Sequence, residues 1–433
     1  MTDRHDPLAG LRIPYVRWFL LGRMAATIGS QFISVAVGWD LYERTNDAWM
    51  LGLVGLVQIV PALALTLPAG NVADRFPRRH VGMAAHALLA IAALGLTMVN
   101  AYDMPVEFVF LLLVLTGVGR AFAMPSTSTL LAQIMPPREF ANAYAWLVSS
   151  GHLASIGGPA AGGVLIAATG GATAAYAIAA VGHLVFIASL LALPVIAADA
   201  RHRRGFSDLF AGIGFMRNTP VFLAAITLDL FGVLLGGAVA LMPVFARDIL
   251  LVGPSGLGLL RAAPSLGALS ASLLATRMPP WRQPGRVLLI AVAGFGLATI
   301  GFGLSRDVGV SLVCLFMTGA CDSISMVIRG TLQQIVTPDE LRGRVAAVNS
   351  LFIGLSNELG AFESGATAAL FGPVISVVGG GIGTLVVVAA VAGIWPSLRE
   401  LGPLHTLHAT PATAPASRPA FDQPTRGSPS ASD

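Results

Sequence analysis

Asp229, Asp322, Glu358, Glu363, Arg23, Arg120, Arg329 and His152 all lie inside long apolar runs of the sequence. On insertion scales a charge at the centre of a membrane helix costs about 2.5–3.5 kcal/mol, so such a group faces a cavity or a partner. The chemistry open to them is proton exchange and ion pairing. A carboxyl favours its neutral form when desolvated and its charged form when wet or beside Arg, so alternation between the two carries a proton. Asp229 is followed by Gly232 and Gly236 on one helix face, which leaves space beside it. Its own run offers no Arg within two turns, so it ranks first as a proton carrier. Asp322 ranks second, because Arg329 lies seven residues on and on the same face, with Ser325 between them. Glu363 ranks third. At 100° per residue, Asn349, Ser356, Gly360, Glu363 and Thr367 fall within about 40° of one line. Glu363 is therefore expected to face the central cavity, and Glu358 to be held by another helix. Arg23, Thr27, Ser30, Gln31 and Ser34 form a second polar stripe expected to line that cavity, joined by Thr116 and Arg120. His152 is a further candidate proton site, ahead of His86 and His183, which read as hydrogen-bonded residues.

The elements that position these groups follow from composition. Of 433 residues, 55% are apolar and only 11% charged, with a mean hydropathy of +0.76. Globular proteins carry about 25% charged residues. So little polar surface excludes a disordered chain, a nucleic-acid binder and a typical cytosolic enzyme, and makes the lipid bilayer the main solvent. All 26 basic residues are Arg, which excludes lysine Schiff-base chemistry, and the formal charge is +4. Apolar runs of about 20 residues, long enough to cross the hydrocarbon, recur through the chain. They lie near 16–39, 48–69, 80–100, 105–125, 140–168, 173–196, 220–245, 255–276, 286–305, 309–331, 342–371 and 374–397. In lipid each must satisfy its own backbone hydrogen bonds, so the runs are helices. The runs at 140–168 and 342–371 are overlong and project or tilt. The first is too long for a cleaved signal peptide and lacks a charged leading segment. Cys314 and Cys321 lie too far apart along one helix to bridge and read as packing residues.

Alternate connections differ sharply in Arg content. One side holds 20, with Arg329 counted at the end of the tenth run, and the other holds Arg44, Arg247 and Arg306. Arg23, Arg120 and Arg261 lie within runs. The positive-inside bias places both termini in the cytoplasm. A basic segment with Arg201, His202, Arg203, Arg204 and Arg217 interrupts the hydropathy. The division expected is a six-helix half over 1–196, a cytoplasmic linker over 197–219, a second half over 220–397 and a disordered Pro/Ala/Ser-rich tail over 398–433. The segments from Thr116 and Thr318 share Thr-Gly, Thr-Leu, the Pro136/Pro338 turn and a following acid in register. This points to duplicated halves related by an axis along the membrane normal. By that repeat Arg120 takes the place of Asp322, and the two are candidates to complement one another.

Between the second and third runs lie Gly70, Asp74, Arg75, Arg78 and Arg79 at a spacing suited to a tight charged turn. Asp74 can cap a helix start and meet the neighbouring Arg charges, forming a latch between the halves. The pattern resembles the loop signature of the major facilitator superfamily, with Pro77 where that family usually has Gly. The matching second-half stretch, Ala275-Thr276-Arg277, lacks the Asp. Gly158, Pro159, Gly162 and Gly163 resemble an element of superfamily exporters that exchange substrate for protons, with Ala154 where those carry another Gly. Pro removes a helix hydrogen bond and the glycines permit close packing. The stretch from Asp322 to Gly372, with Arg329-Gly-Thr-Leu-Gln and Asn357-Glu-Leu-Gly-Ala-Phe-Glu-Ser-Gly365, resembles the superfamily branch of the enterobactin exporter and related efflux carriers.

The resemblance implies an all-α membrane protein of twelve helices in two six-helix halves. It implies export of a small amphipathic molecule (siderophore, drug or metabolite) by alternating access at the inner membrane, with proton antiport and a monomeric carrier. An importer or uncoupled facilitator of the same fold, or a membrane sensor, remains open. Gly-x-x-x-x-Gly-Lys, His-Glu-x-x-His and Gly-x-Ser-x-Gly motifs are missing from the sequence, so neither ATP hydrolysis, other enzymatic chemistry nor a cofactor is expected.

Overall fold

The computed structural model describes residues 9–128, 130–135, 137–194 and 206–404. Twelve helices among them are long and apolar enough to cross a membrane. We number these α1 (Pro14–Thr45), α2 (Ala48–Arg75), α3 (Arg78–Ala101), α4 (Val106–Thr127), α5 (Pro137–Thr169), α6 (Thr173–Leu191), α7 (Pro220–Leu235), α8 (Gly253–Ala275), α9 (Pro284–Leu304), α10 (Val308–Val336), α11 (Arg342–Phe371) and α12 (Pro373–Ile394). A shorter helix, Phe206–Asn218, precedes α7. The basic residues 201–204 and the tail beyond residue 404 lie outside the described residues.

Local chemistry sets the turns. Asn46 takes a left-handed conformation after α1, and Asp47 then caps α2 by accepting from the Trp49 amide at 2.9 Å. Asp307 caps α10 the same way through the Val310 amide. The seventh run is not one regular helix, as the sequence suggests. It breaks after Leu235 at Gly236–Gly237 and resumes as a 3-10 turn (Ala238–Leu241), a short helix (Met242–Val244) and a π-turn (Phe245–Ile249). Adjacent glycines carry no side chain to hold helical geometry, and Pro243 removes a further backbone donor. Arg329 lies inside α10 and is buried, so it belongs to a helix interior rather than to a loop.

Within the first six helices, α1 packs on α5 and α6, α3 on α4 and α6, and α2 on α4. Within the last six, α8 packs on α10, α9 on α10 and α12, and α7 on α11 and α12. Two seams join the groups: α5 against α8, and α2 against α11. The buried apolar residues are divided unevenly. One core, containing Ile33, Leu41, Leu96, Tyr176, Phe245 and Leu257, draws on both groups at the face opposite the short helix Phe206–Asn218. Toward the face that bears this short linker helix there are two separate cores. Phe19, Leu131 and Phe186 belong to the first group, and Phe222, Leu288 and Leu332 to the second. Burial of apolar area is what couples packed elements. The groups are thus fastened together on one face and parted on the other. Side chains such as Leu111, Ile178, Ile290 and Val386 remain exposed on the outside of the bundle, the surface that hydrocarbon would cover.

Candidate functional site

Between the two groups lies a cavity of about 540 Å³, within the range of small-molecule sites. Ser30, Gln31 and Ser34 of α1 line it with Gln58 of α2, Thr116 and Arg120 of α4, His183 of α6 and Arg261 of α8. Thr299 of α9, Thr318 and Asp322 of α10, and Asn357 and Glu358 of α11 complete its polar lining. The polar stripe of α1 therefore reaches the cavity in part. Arg23 and Thr27, one to two turns earlier, are outside the lining, and Arg23 donates to the Thr127 carbonyl at 3.3 Å.

The acids are arranged in two groups. In the first, Asp229 of α7 pairs directly with Arg329 of α10, and both are buried. Arg329 also donates from Nε to Ser325 at 3.1 Å, and its Nη2 lies 4.0 Å from Asp322. The Asp322 side chain is 39% exposed against 9% for Asp229, and of the two acids it is Asp322 that lines the cavity. A narrow side pocket lined by Gly232, Phe295, Cys321 and Ser325 touches both carboxylates. Two carboxylates thus share one guanidinium. The partner that Asp229 lacks on its own helix comes from α10, so its isolation in sequence is not isolation in space.

In the second group, Arg120 Nη1 donates to Gln58 Oε1 at 2.8 Å and lies 3.5 Å from Glu358 Oε1. The partner of Arg120 is therefore Glu358 and not Asp322. Glu358 is thus held by another helix, as expected, but the cavity face of α11 is reversed: Glu358 lines the cavity and Glu363 is outside its lining. The reason lies in the small residues that share the line with Glu363. Gly360 packs against the backbone of Val233 and Leu234, and Ser364 donates to the Gly237 carbonyl at 3.1 Å. The stripe is a packing seam for α7, the use that membrane helices make of small residues. His152 is exposed on α5 and also outside the lining. His86 and His183 are buried with their Nδ1 atoms 3.2 Å apart.

The loop between α2 and α3 differs from expectation in one detail. Asp74 lies in the last turn of α2 and pairs with Arg78 at 3.2 Å, while Pro77 occupies the position before α3. Arg79 donates to the Leu193 and Leu191 carbonyls at the end of α6, a helix C-terminus that favours a cation. Arg75 is exposed, and a side chain at Gly70 would meet no atom within 4 Å. Gly158 and Gly162 lie against Gln31 and Phe32 of α1. Gly163 meets Gly258 and the Pro254 carbonyl of α8, and the Pro159 carbonyl reaches Gly258 in return. The Gly-Pro-Gly-Gly element is therefore a close backbone contact between the two groups. Cys314 and Cys321 face Gly301 and Gly294 of α9 as free thiols in packing positions.

On the face opposite the linker the cavity is sealed. The Tyr42 hydroxyl of α1 bonds Asp248, and Arg247 donates to the Tyr42 carbonyl at 3.0 Å and to Asn46 at 2.6 Å. Gly52 meets Gly365 and Phe362, and Trp49 packs edge-on against Phe362. Sequence reasoning gave no role to Arg261 or Asp40. Both carry the same signal as the residues it selected, a charge within or beside an apolar run.

The sequence profile of the family described as transmembrane secretion effector, of the major facilitator superfamily, matches residues 5–417. The chain belongs to this family. It is a multi-pass membrane transporter of the major facilitator type, and not an enzyme. Among its relatives, the enterobactin exporter EntS of Shigella boydii is 28% identical over 380 residues, covering 86% of this chain and 90% of the relative. EntS of Escherichia coli O1:K1 gives the same identity and coverage. Solved structures of similar fold include a bacterial homologue of the human lysosomal transporter Spinster, inward-facing and unoccupied. Its TM-score is 0.71 at 16% identity, over 92% of this chain and 100% of that one. The nucleoside transporter NupG aligns with a TM-score of 0.68 at 14% identity, over 88% and 99%.

Proposed function

We propose that this transporter exports a small amphipathic molecule from the cytoplasm across the inner membrane, in exchange for protons. One observation carries the reading: two carboxylates, Asp229 and Asp322, share Arg329 at the wall of the central cavity. Their excess negative charge can be relieved by a proton or by a donor group of the substrate, but a single site does not hold both. The two act as one titrating unit. Substrate enters from the linker-bearing face, where the two groups of helices are parted, and its donors displace the proton. The groups then close on that face and separate on the other. The Tyr42–Asp248 and Arg247–Asn46 contacts break, and the substrate leaves.

The linker-bearing face is taken as cytoplasmic because the Arg-rich connections lie there. The first and last six helices act as two pseudo-symmetric halves of a monomer. Asp74, Arg75, Arg78 and Arg79 control closure of the cytoplasmic face, and the Gly158–Gly163 seam on α8 is the pivot. The homology to enterobactin exporters supports the direction of transport.

The test is uptake of a chemically diverse panel into inverted vesicles under an imposed proton gradient. At least one compound is expected to accumulate only with the gradient present, and not with Asp229→Asn or Asp322→Asn. Accumulation that ignores the gradient would make the protein an uncoupled facilitator. Accumulation only in right-side-out vesicles would make it an importer, and no flux in either would leave a sensor.

A further inference from the structure

Three arginines, Arg120, Arg261 and Arg329, stand in or directly behind the cavity. Two of them have carboxylates: Arg120 has Glu358, and Arg329 has Asp229 and Asp322. Arg261 has none within 4.0 Å among the described residues. Its Nη1 donates to Ser34 Oγ at 2.6 Å, and its Nε is buried with no hydrogen-bond partner. A guanidinium is never deprotonated in proteins and has five donors in a planar fork, of which this one satisfies few. Arg261 is one of the residues that line the cavity.

The position is held rigidly. Pro264 follows Arg261 by three residues, and a side chain at Gly319 of α10 would collide with the Pro264 carbonyl. Gly267 meets the Phe316 carbonyl in the same way. The α8 backbone is thus pressed onto α10, the helix that carries Asp322. A charge kept in place without a counter-ion is costly in an apolar protein interior, and a well-paired anion removes that cost.

We infer that Arg261 is the anion-binding point of the substrate site, and that transported molecules carry a carboxylate, phosphonate or similarly charged oxygen group that docks on it. This rests on the transport reading above and specifies its substrate class. Arg and paired oxygens of one anionic group match in a bidentate geometry. Competition with protons stays at Asp322, through hydrogen-bond donors elsewhere on the same molecule. The substrate is therefore two-ended, anionic toward α8 and donor-bearing toward α10. Arg261 also reaches Ser34 across the seam between the groups, so its partner changes when that face opens.

The test uses purified full-length protein in lipid nanodiscs and compares benzoate, salicylate and phenylphosphonate with benzamide and salicylamide. Binding is followed by thermal unfolding and by calorimetric titration. For the wild type the anions are expected to bind tighter than the amides by about tenfold, the size of a charge-assisted hydrogen bond. Arg261→Met is expected to abolish that preference and Arg261→Lys to keep part of it. Ligand-free Arg261→Met is expected to unfold no earlier than the wild type, since it loses a charge that had no counter-ion. Equal affinity for anions and amides would overturn the inference, as would an unchanged preference in Arg261→Met. Early unfolding of both Arg261→Met and Ser34→Ala would make Arg261 a structural latch, which also overturns it. Flux is measured separately. Anion binding through Arg261 without flux would sink the transport reading alone, and flux without charge preference would sink this inference alone.

Discussion

Two buried Asp–Arg groups in this protein are built differently. In the first six helices, Asp40 pairs with Arg44 at 2.7 Å and accepts from Asn100 at 2.7 Å and from Tyr176 at 3.3 Å. Arg44 then donates to the Met104 carbonyl at 2.9 Å. Neutral donors satisfy what remains of Asp40, and the second acid near Arg44, Asp103 at 3.6 Å, is 93% exposed at the surface. In the last six helices, Asp229 and Asp322 meet a single Arg329, and Asp322 faces the cavity. Complete satisfaction makes a rigid structural knot. A surplus carboxylate beside a cavity leaves a site whose charge can change. Burial alone does not separate the two, since Asp40 and Asp229 are both buried. What separates them is the set of neutral donors around Asp40 and the place of the second acid, at the surface beside Arg44 and at the cavity beside Arg329.

The largest effect expected from this contrast is on folding. Arg44→Met leaves Asp40 buried and charged without its counter-ion, a defect of about 3–5 kcal/mol. It should abolish recovery of folded protein, read by size-exclusion of solubilised material. Arg329→Met should do the same, because it leaves two carboxylates together. Asp229→Asn, by contrast, leaves Arg329 paired with Asp322, and the protein should fold, bind and insert. What it should lose is gradient-driven accumulation in vesicles, by at least about tenfold. If Asp229→Asn is recovered as poorly as Arg44→Met, the two groups are alike and the contrast fails.

Much of the architecture is legible in the sequence, for reasons that differ by residue. Lipid demands continuous apolar helices, so hydropathy alone places the twelve spans. The Asp74–Arg78 pair can be read because it is local, one turn along the chain. The partner of Asp229 cannot, because Arg329 comes from a helix about 100 residues later in the chain. The α11 face misleads because Gly360 and Thr367 look like part of a polar cavity stripe and instead pack against α7 and α12. The break in the seventh span is signalled by Gly236–Gly237, but its geometry depends on α11 packing against it.

Smaller effects sharpen the same comparison at the seams. Gly163→Val should wedge α5 from α8, because the Pro254 carbonyl and the Gly258 backbone leave no room for a side chain. Accessibility of an introduced cysteine at Ser34 to an aqueous thiol reagent should rise from the face opposite the linker, while Gly151→Val, at a position where an added side chain meets no atom within 4 Å, should change nothing. Asp74→Asn should slow cycling several-fold with normal insertion, and Thr276→Ala, at the matching second-half position, should do so much less. Equal defects would remove the asymmetry between the two loops. The smallest effect expected is in topology labelling. Cysteines at Asp103 and Asp307 should react with an impermeant reagent from outside intact cells, and one at Arg217 should not.

The central claim is that Asp229 and Asp322, sharing Arg329, carry the exchanged proton. It is tested most directly by proton release from purified protein in weakly buffered solution, on addition of the compound selected by the vesicle panel. The account predicts release of about one proton per bound substrate from the wild type, and none from Asp229→Asn or Asp322→Asn although both still bind. Equal release from all three proteins would contradict it and move the proton site elsewhere in the cavity.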